Sequence, residues 1–295
     1  MASSKTFAVV GGDRRMAYLA EALAEKSPGS RVYTLFCTPS GNGTAACPPS
    51  DMNLVLPQSN VIIFPLPLFN AAGFVNAPES VQAIPFGDCL HAISPDALVF
   101  AGRIPRTTIE QAEKQGVALV DYMKREEFAV LNAVPTAEGA VGIALNERSR
   151  TLFGSNCLVI GNGRIGRCLV TRLLAFGAKV CVSIRKPEDY AWVKIAGATP
   201  VYSSDLDCAL PGCDVIFNTV PSMVLGKAQL CRLARSCLII DVASLPGGID
   251  FDAANEHGLQ AIHALSLPGK GAPATAGEII LDTIWNILIE RGFLS

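Results

Sequence analysis

The run NCLVIGNGRIGRCLVTRLLAFGAKVCVSIRK, Asn156 to Lys186, decides how the chain is read. An apolar stretch, NCLVIG, leads into Gly161-Asn162-Gly163-Arg164-Ile165-Gly166, then into an apolar-periodic helix, and KVCVSIR follows as a second strand. Strand, glycine turn, helix and strand in that order form the context that makes a glycine fingerprint meaningful. Gly161 permits a tight turn, Gly163 lets backbone approach a pyrophosphate, and Gly166 lets helix and strand pack closely. The first helical turn, with Arg164 and Ile165, offers N–H groups to phosphate. The other reading of the same letters is a tight turn with nothing bound.

The end of the second strand bears on the choice of cofactor. About 20 residues past the first glycine, an NAD site places an acid against the ribose 2′-hydroxyl. Here the polar side chains are Ser183, Arg185 and Lys186. A carboxylate would repel a 2′-phosphate, whereas a hydroxyl and two cations can bind it. The expected cofactor is therefore NADP, with NAD as the alternative.

The 295 residues suffice for two domains, and the interspersed charges, net −2, predict no attraction to nucleic acid or an anionic membrane surface. Every apolar run is broken by Pro, Gly, Asn or charge before the roughly 20 residues that span a bilayer. The start, MASSKTFAVVGGD, does not look like a secretion signal, so a cytoplasmic location is expected. None of the ten cysteines forms a CxxC pair and only three histidines are present, so neither disulfides nor a metal site is predicted. The cysteines read as reduced small hydrophobes.

Strand-like and helix-like stretches alternate along the chain, the pattern of α/β architecture with parallel sheets. TFAVVGG, RVYTLF, NVIIFPLP, ALVFAG and GVALVDYM predict five strands before residue 125, and residues 37 to 51 read as a surface loop. A helix beginning at TAEGAV, with Thr136 as N-cap and Glu138 in its first turn, leads to six more strands: NCLVIG, KVCVSIR, TPVYS, DVIFNTV, CLIIDVAS and LQAIHAL. The closing segment, residues 276 to 291, is an apolar helix predicted to return to the first domain. The expected division is a flavodoxin-like domain over 1–133, completed by 274–295, and a Rossmann NAD(P)-binding domain over 134–273. In GGDRR near the start, Asp13 is expected to cap the first helix, with Asp13 or Arg14 facing the interdomain cleft as the alternative.

Ligands of open α/β sheets bind beyond the strand C-termini, so three further turns are candidates. In NTVPSM, Thr219, Val220 and Pro221 are assigned to the cofactor and Ser222 to the substrate. In DVASLPGG, Ala243 is assigned to the cofactor, and Ser244, Gly247 and Gly248 to the substrate. The third turn is LSLPGKGAPATAGE, residues 265 to 278.

The segments VPTAEGAV, VIGNGRIG, NTVPSMVL, LIIDVASLPGGIDF and LPGKGAPATAGEII, with GGDRR at the start, resemble in order and spacing the A subunit of dipicolinate synthase. The resemblance covers nearly the whole chain. It implies an NAD(P)-dependent oxidoreductase of sporulation that makes pyridine-2,6-dicarboxylate from a dihydro or hydroxytetrahydro precursor, alongside a smaller flavoprotein-like B subunit; an oligomer is expected. Asn162 stands where an aliphatic residue is usual, and Leu245 where Arg is expected. A dicarboxylate needs positive partners. Arg103 in FAGRIP is the first candidate, with Arg14, Lys270 and the N–H groups of Gly247 and Gly248 beside it, and Thr136 and Glu138 complete the substrate set. Glu138 is a weak candidate for proton acceptor, and solvent can serve, so no catalytic residue is assigned. Another dehydrogenase of the hydroxyacid or alanine type, or a nucleotide-binding regulatory subunit, remains open as a second reading.

Overall fold

The computed structural model describes residues 5–38 and 43–294. The chain divides into two compact units, Met1–Leu131 with Ala272–Ser295, and Asn132–Gly271. The first unit runs β1 (Thr6–Val10), α1 (Arg14–Lys26), β2 (Arg31–Leu35), β3 (Ala45–Cys47), α2 (Met52–Val55), β4 (Val61–Ile63), α3 (Phe86–Ala92), β5 (Leu98–Ala101), α4 (Arg106–Lys114), β6 (Ala118–Asp121) and into α5 (Glu126–Glu147). The second continues with β7 (Asn156–Ile160), α6 (Arg164–Ala175), β8 (Lys179–Ile184), α7 (Pro187–Ile195), β9 (Thr199–Tyr202), α8 (Leu206–Ala209), β10 (Val215–Asn218), α9 (Lys227–Leu230), β11 (Leu238–Asp241), α10 (Phe251–Glu256), β12 (Gln260–His263) and α11 (Leu267–Gly271). The last helix, α12 (Pro273–Glu290), belongs to the first unit.

Each unit holds a six-stranded parallel sheet. The second has the order β12-β11-β10-β7-β8-β9, the doubly wound arrangement whose order reverses at its first strand. The first has the order β3-β2-β1-β4-β5-β6, a flavodoxin-type sheet extended at one edge by β3. That strand corrects the reading of residues 37 to 51 as a loop, although 39–42 lie outside the described residues. Its three residues, Ala45-Ala46-Cys47, pair with Tyr33, Thr34 and Leu35. So short a segment has no periodicity of its own and forms only because β2 offers an open edge.

Strand faces alternate as a sheet covered on both sides requires. Cys157 and Val159 of β7 face the core that contains Ala140, Val141 and Leu169, whereas Leu158 and Ile160 face the one that contains Ile216, Leu225 and Ile249. In the first unit Phe7 and Val9 of β1 pack with Leu19 and Leu23 of α1 and Ile280, Ile284 and Leu288 of α12. All ten cysteines are free, and burial pushes the thiols of Cys37, Cys89, Cys157, Cys213 and Cys237 up to about 12. Such thiols are small core hydrophobes rather than nucleophiles.

The helix α5 departs from the sequence reading in its start. It is one element of 22 residues with Pro135 inside it, so Thr136 is not an N-cap and Glu138 is not in a first turn. Pro135 removes one helical N–H, but the upstream residues Glu126 to Val134 form turns of their own, with acids at the N-terminus where the helix dipole favours them. The Thr136 hydroxyl donates to the Asn132 carbonyl, 2.8 Å away. This continuous helix passes for a membrane span by length and composition alone, although Asn132, Pro135, Glu138 and Gly139 interrupt its apolar run as the sequence reading held. Its Ala137, Ala140, Val141 and Ala144 are buried in the core of the second unit.

The contact between α1 and α12 depends on Gly277, where an added Cβ would lie 2.4 Å from the carbonyl oxygen of Arg15 and 3.0 Å from the amide of Leu19. Helix propensity alone favours Gly277→Ala by about 1 kcal/mol. The clash is with backbone and cannot be relieved by a rotamer, so the expected net effect is a loss of about 1–3 kcal/mol. Chemical denaturation of the variant measures it, and stabilisation would mean that the two helices do not approach so closely.

Candidate functional site

The three fingerprint glycines serve different needs. Gly161, at φ +100°, donates its N–H to the Ser183 carbonyl at 3.0 Å, and a Cβ there would lie 2.6 Å from the Thr219 hydroxyl and 2.9 Å from Val220. At Gly166 a Cβ would lie 2.1 Å from the Gly161 carbonyl oxygen. The protein's own packing therefore requires both. Gly163 is different: its φ is −78° and an added Cβ would meet nothing within 4 Å. The space above it is open, and the residues present fit a dinucleotide pyrophosphate.

A cleft of about 920 Å³ opens from this turn, lined by Gly161, Asn162 and Gly163, by Ser183, Arg185 and Lys186, and by Thr219, Val220, Pro221 and Ser222. The helices α6 and α7 both begin here, at Gly163 and Lys186, and no side chain caps either. By contrast Asp13 caps α1 and Asp250 caps α10. Two uncapped helix N-termini beside one cleft provide two favourable places for anions. Arg164 and Ile165 lie in the first turn of α6, and Ser183 is only 3% exposed in β8. A second cavity, of about 620 Å³, includes Asn156, Lys179 and Thr199 in its wall. These are the first residues of β7, β8 and β9, so it lies at the opposite end of the sheet from the glycine turn.

Charges in the cleft are distributed unevenly. Asp189 accepts from the Asn162 amide at 2.9 Å and lies 3.7 Å from Arg167. Asp207 accepts from Gln229 at 3.2 Å and pairs with Arg232 at 3.4 Å, and Glu188 lies 3.8 Å from Lys186. Each of these carboxylates has a partner. Arg185 is exposed and, among the described residues, has no carboxylate within ion-pairing distance.

The neighbouring turns rest on a buried polar network. Asn218 and Asp241, the last residues of β10 and β11, are in register and 0% exposed. Asp241 accepts from Asn218 at 2.8 Å, from the amide of Ala243 at 2.9 Å and from that of Gly248 at 2.8 Å. The ring of His263, in register with Asp241 in β12, meets the Ala243 carbonyl at 3.0 Å, which makes Nε2 the donor. The sequence reading named the turns but missed these three residues. Their signal is a polar letter closing an otherwise apolar strand, as in VIFN and LIID.

The network corrects the expected role of Gly247 and Gly248. Their N–H groups are already donated, to the Ser244 carbonyl at 2.9 Å and to Asp241, so they do not offer themselves to a substrate carboxylate. They are glycines because a Cβ on Gly247 would lie 2.7 Å from Asp241, and one on Gly248 2.5 Å from Asn218. The side chains presented to solvent here include Ser222, Met223, Ser244 and Leu245, while Ala243 is buried.

In the first unit, Arg103 follows β5 with its side chain exposed and its backbone at φ +56°, a left-handed conformation rare outside glycine. Asp121 holds it there, accepting from the amides of Arg103 and Ile104, both at 3.2 Å. Strain of this kind is retained where the surroundings enforce it and is frequent at ligand sites. Asp13 is the N-cap of α1 and pairs with Arg15 at 2.8 Å, whereas Arg14 is exposed against Tyr18. Of the other candidates, Glu138 lies on α5 in a 2.7 Å ion pair with Arg172, Thr136 bonds within its helix, and Lys270 is exposed on α11. None of these three lines the cleft beside the glycine turn.

The contrast among the glycines is testable. Gly163→Ala is expected to leave the stability of the ligand-free protein within about 0.5 kcal/mol and to weaken pyridine-nucleotide binding by at least about tenfold. Gly166→Ala is expected to destabilise the ligand-free protein by about 1–3 kcal/mol. Thermal unfolding and nucleotide titration of both variants separate the effects, and unchanged binding by Gly163→Ala would remove the pyrophosphate from this turn.

Comparison with known proteins agrees with this geometry. A family model described as the N-terminal domain of the dipicolinate synthase A subunit matches residues 6–123, and one described as the D-isomer specific 2-hydroxyacid dehydrogenase NAD binding domain matches residues 102–244. The A subunit of dipicolinate synthase from Bacillus subtilis (strain 168) is 30% identical, over 98% of this chain and 98% of its own length. The crystal structure of the corresponding protein from Bacillus halodurans superposes with a TM-score of 0.87 at 29% identity, covering 98% of this chain and 99% of the other. The crystal structure of the Bacillus subtilis protein superposes with a TM-score of 0.86 at 28% identity, covering 98% and 97%. With likeness extending over both units, the chain belongs to the family of dipicolinate synthase A subunits and is a pyridine-nucleotide-dependent oxidoreductase.

Proposed function

We propose that this chain oxidises a dihydro or hydroxytetrahydro precursor to pyridine-2,6-dicarboxylate with NADP as acceptor, acting with a smaller flavoprotein-like B subunit. The cofactor choice is carried by the charge pattern of the cleft, where Glu188, Asp189 and Asp207 are each partnered and Arg185 is not. NAD would be favoured by an uncommitted carboxylate at the ribose, and a 2′-phosphate is favoured by an uncommitted cation at an uncapped helix end. Gly161, Gly163, Arg164, Ile165 and Gly166 would hold the pyrophosphate. Ser183, Arg185 and Lys186 would hold the 2′-phosphate, and Thr219, Val220, Pro221 and Ala243 would flank the rest of the dinucleotide.

The bound nicotinamide would supply a two-electron acceptor for a hydride. From the dihydro precursor the second hydrogen leaves as a proton, while the hydroxytetrahydro precursor must also lose water, and the aromaticity gained drives the step, so what the chain must contribute is alignment and charge. Arg103, exposed and held in place by Asp121, is the proposed partner of a substrate carboxylate. Ser222 and Ser244 are the proposed hydroxyl contacts. Glu138 is engaged by Arg172, which favours solvent over that carboxylate as the proton acceptor.

Incubating the chain with freshly made precursor and NADP, with and without the B subunit, tests the activity by absorbance of the reduced cofactor and of the aromatic product. Product formation with NADP is the expected result. Nucleotide binding without turnover under either condition would favour a regulatory role, and turnover of 2-hydroxy acids instead would favour a different dehydrogenase. For the cofactor, Arg185→Ala is expected to remove a charge-assisted contact of about 1.5–3 kcal/mol, weakening NADP by about 10- to 150-fold with little change for NAD. Titration of both nucleotides measures it, and equal losses would show that Arg185 does not meet the 2′-phosphate.

A further inference from the structure

Asn162, the middle residue of the first Gly-x-Gly, reaches across the cleft. Its side-chain amide donates to Oδ1 of Asp189, 27 positions later in the first turn of α7. Arg167, from the first turn of α6, joins the contact from the other side. Its guanidinium lies 3.7 Å from the same oxygen, donates from Nε to the Asn162 carbonyl at 3.2 Å, and sits 5.5 Å from the centre of the Trp192 ring. The three side chains tie the pyrophosphate turn to the helix end beside Arg185 and Lys186. The Asp189 side chain is only 20% exposed, so its charge is screened less by water than that of Glu188 or Lys186 beside it.

The tie matters because Asp189 occupies the helix turn that would receive a 2′-phosphate. A carboxylate in a first turn is drawn to the same backbone field as a bound anion and repels that anion directly. In this chain Asn162 and Arg167 hold the carboxylate toward the glycine turn. We infer that Asn162 is a specificity-determining residue: by binding Asp189 it holds this weakly solvated carboxylate away from a 2′-phosphate, and so sets the preference for NADP over NAD. This rests on the reading of the cleft as an NADP site. Asn162 is a positioning residue here, acting through Asp189.

A double-mutant cycle on the full-length chain tests it, with NADPH and NADH titrated by fluorescence into the wild type, Asn162→Leu, Asp189→Asn and the pair combined. Leu keeps the branched shape of Asn and has no donor. Asn162→Leu is expected to weaken NADPH by about 5- to 20-fold and NADH by less than about twofold, because Asp189, left with Arg167 alone at 3.7 Å, is free to turn toward the phosphate that only NADPH carries. Asp189→Asn alone should not weaken NADPH. The double variant should recover wild-type NADPH affinity within about two- to threefold, which a merely structural role for Asn162 would not allow. Thermal unfolding of each ligand-free protein checks folding, and Asn162→Ala replaces the leucine variant if that fails to fold. Parallel losses for the two nucleotides, or no recovery in the double variant, overturn the inference while leaving the NADP site standing. A wild type that binds NADH as tightly as NADPH overturns the NADP site and the inference with it.

Discussion

The carbonyl oxygen of Gly161 lies only 2.1 Å from where a Cβ on Gly166 would stand. This close approach fixes the angle at which α6 leaves β7. It leaves the start of α6 uncapped at Gly163 and facing the cleft. Through the bond from the Gly161 amide to the Ser183 carbonyl, it also sets the level of β8, whose end carries Arg185 and Lys186. The parallel sheet then brings α7 to the same edge as α6, because every strand of such a sheet releases its helix at the same end. Two anion-favouring helix ends beside one cleft are therefore a consequence of sheet topology, and the side chains decide only which anions they suit.

The other half of the crevice is built on a different constraint. Proline and glycine turns after β10 and β11 cannot supply a ladder of their own, so the buried pair Asn218 and Asp241 supplies it, satisfying the amides of Val220, Ala243 and Gly248. Asp241 accepts three hydrogen bonds and is thereby satisfied in a site with no solvent access, where an unpaired carboxylate would be costly. The network uses up the Gly247 and Gly248 amides that a substrate carboxylate could otherwise have met. Ser222, Met223, Ser244 and Leu245 are among the groups left exposed. In the first unit, Arg103 keeps its left-handed backbone because Asp121 accepts from its amide.

Much of this was legible in the letters because it is local. Most of the strands announce themselves as apolar runs, several of them closed by Gly, Asn, Asp or Pro as in TFAVVGG, VIIFP, VIFN and LIID, and the three fingerprint glycines carry their meaning in a six-residue window. What escaped reading depends on partners distant in sequence. The strand β3 exists because of the edge of β2. The start of α5 was misplaced because Pro135 is a break signal that an already established helix overrides. The contact from Asn162 to Asp189 spans 27 positions, and Asn162 alone gave no reason to expect more than a changed turn. The glycines at 247 and 248 read as ligand-facing because nothing local reveals that Asp241 stands beneath them.

The claim on which the rest depends is that α6 and α7 each receive an anion of the same dinucleotide. Hydrogen–deuterium exchange of the full-length chain, without ligand and with saturating NADPH or NADH, measures it directly. NADPH should slow exchange both over Gly163–Arg167 and over Arg185–Asp189, and NADH should slow the first segment alone. Unchanged exchange in both segments would contradict it, as would protection confined to the residues around Thr199 and Cys213 at the opposite end of the sheet.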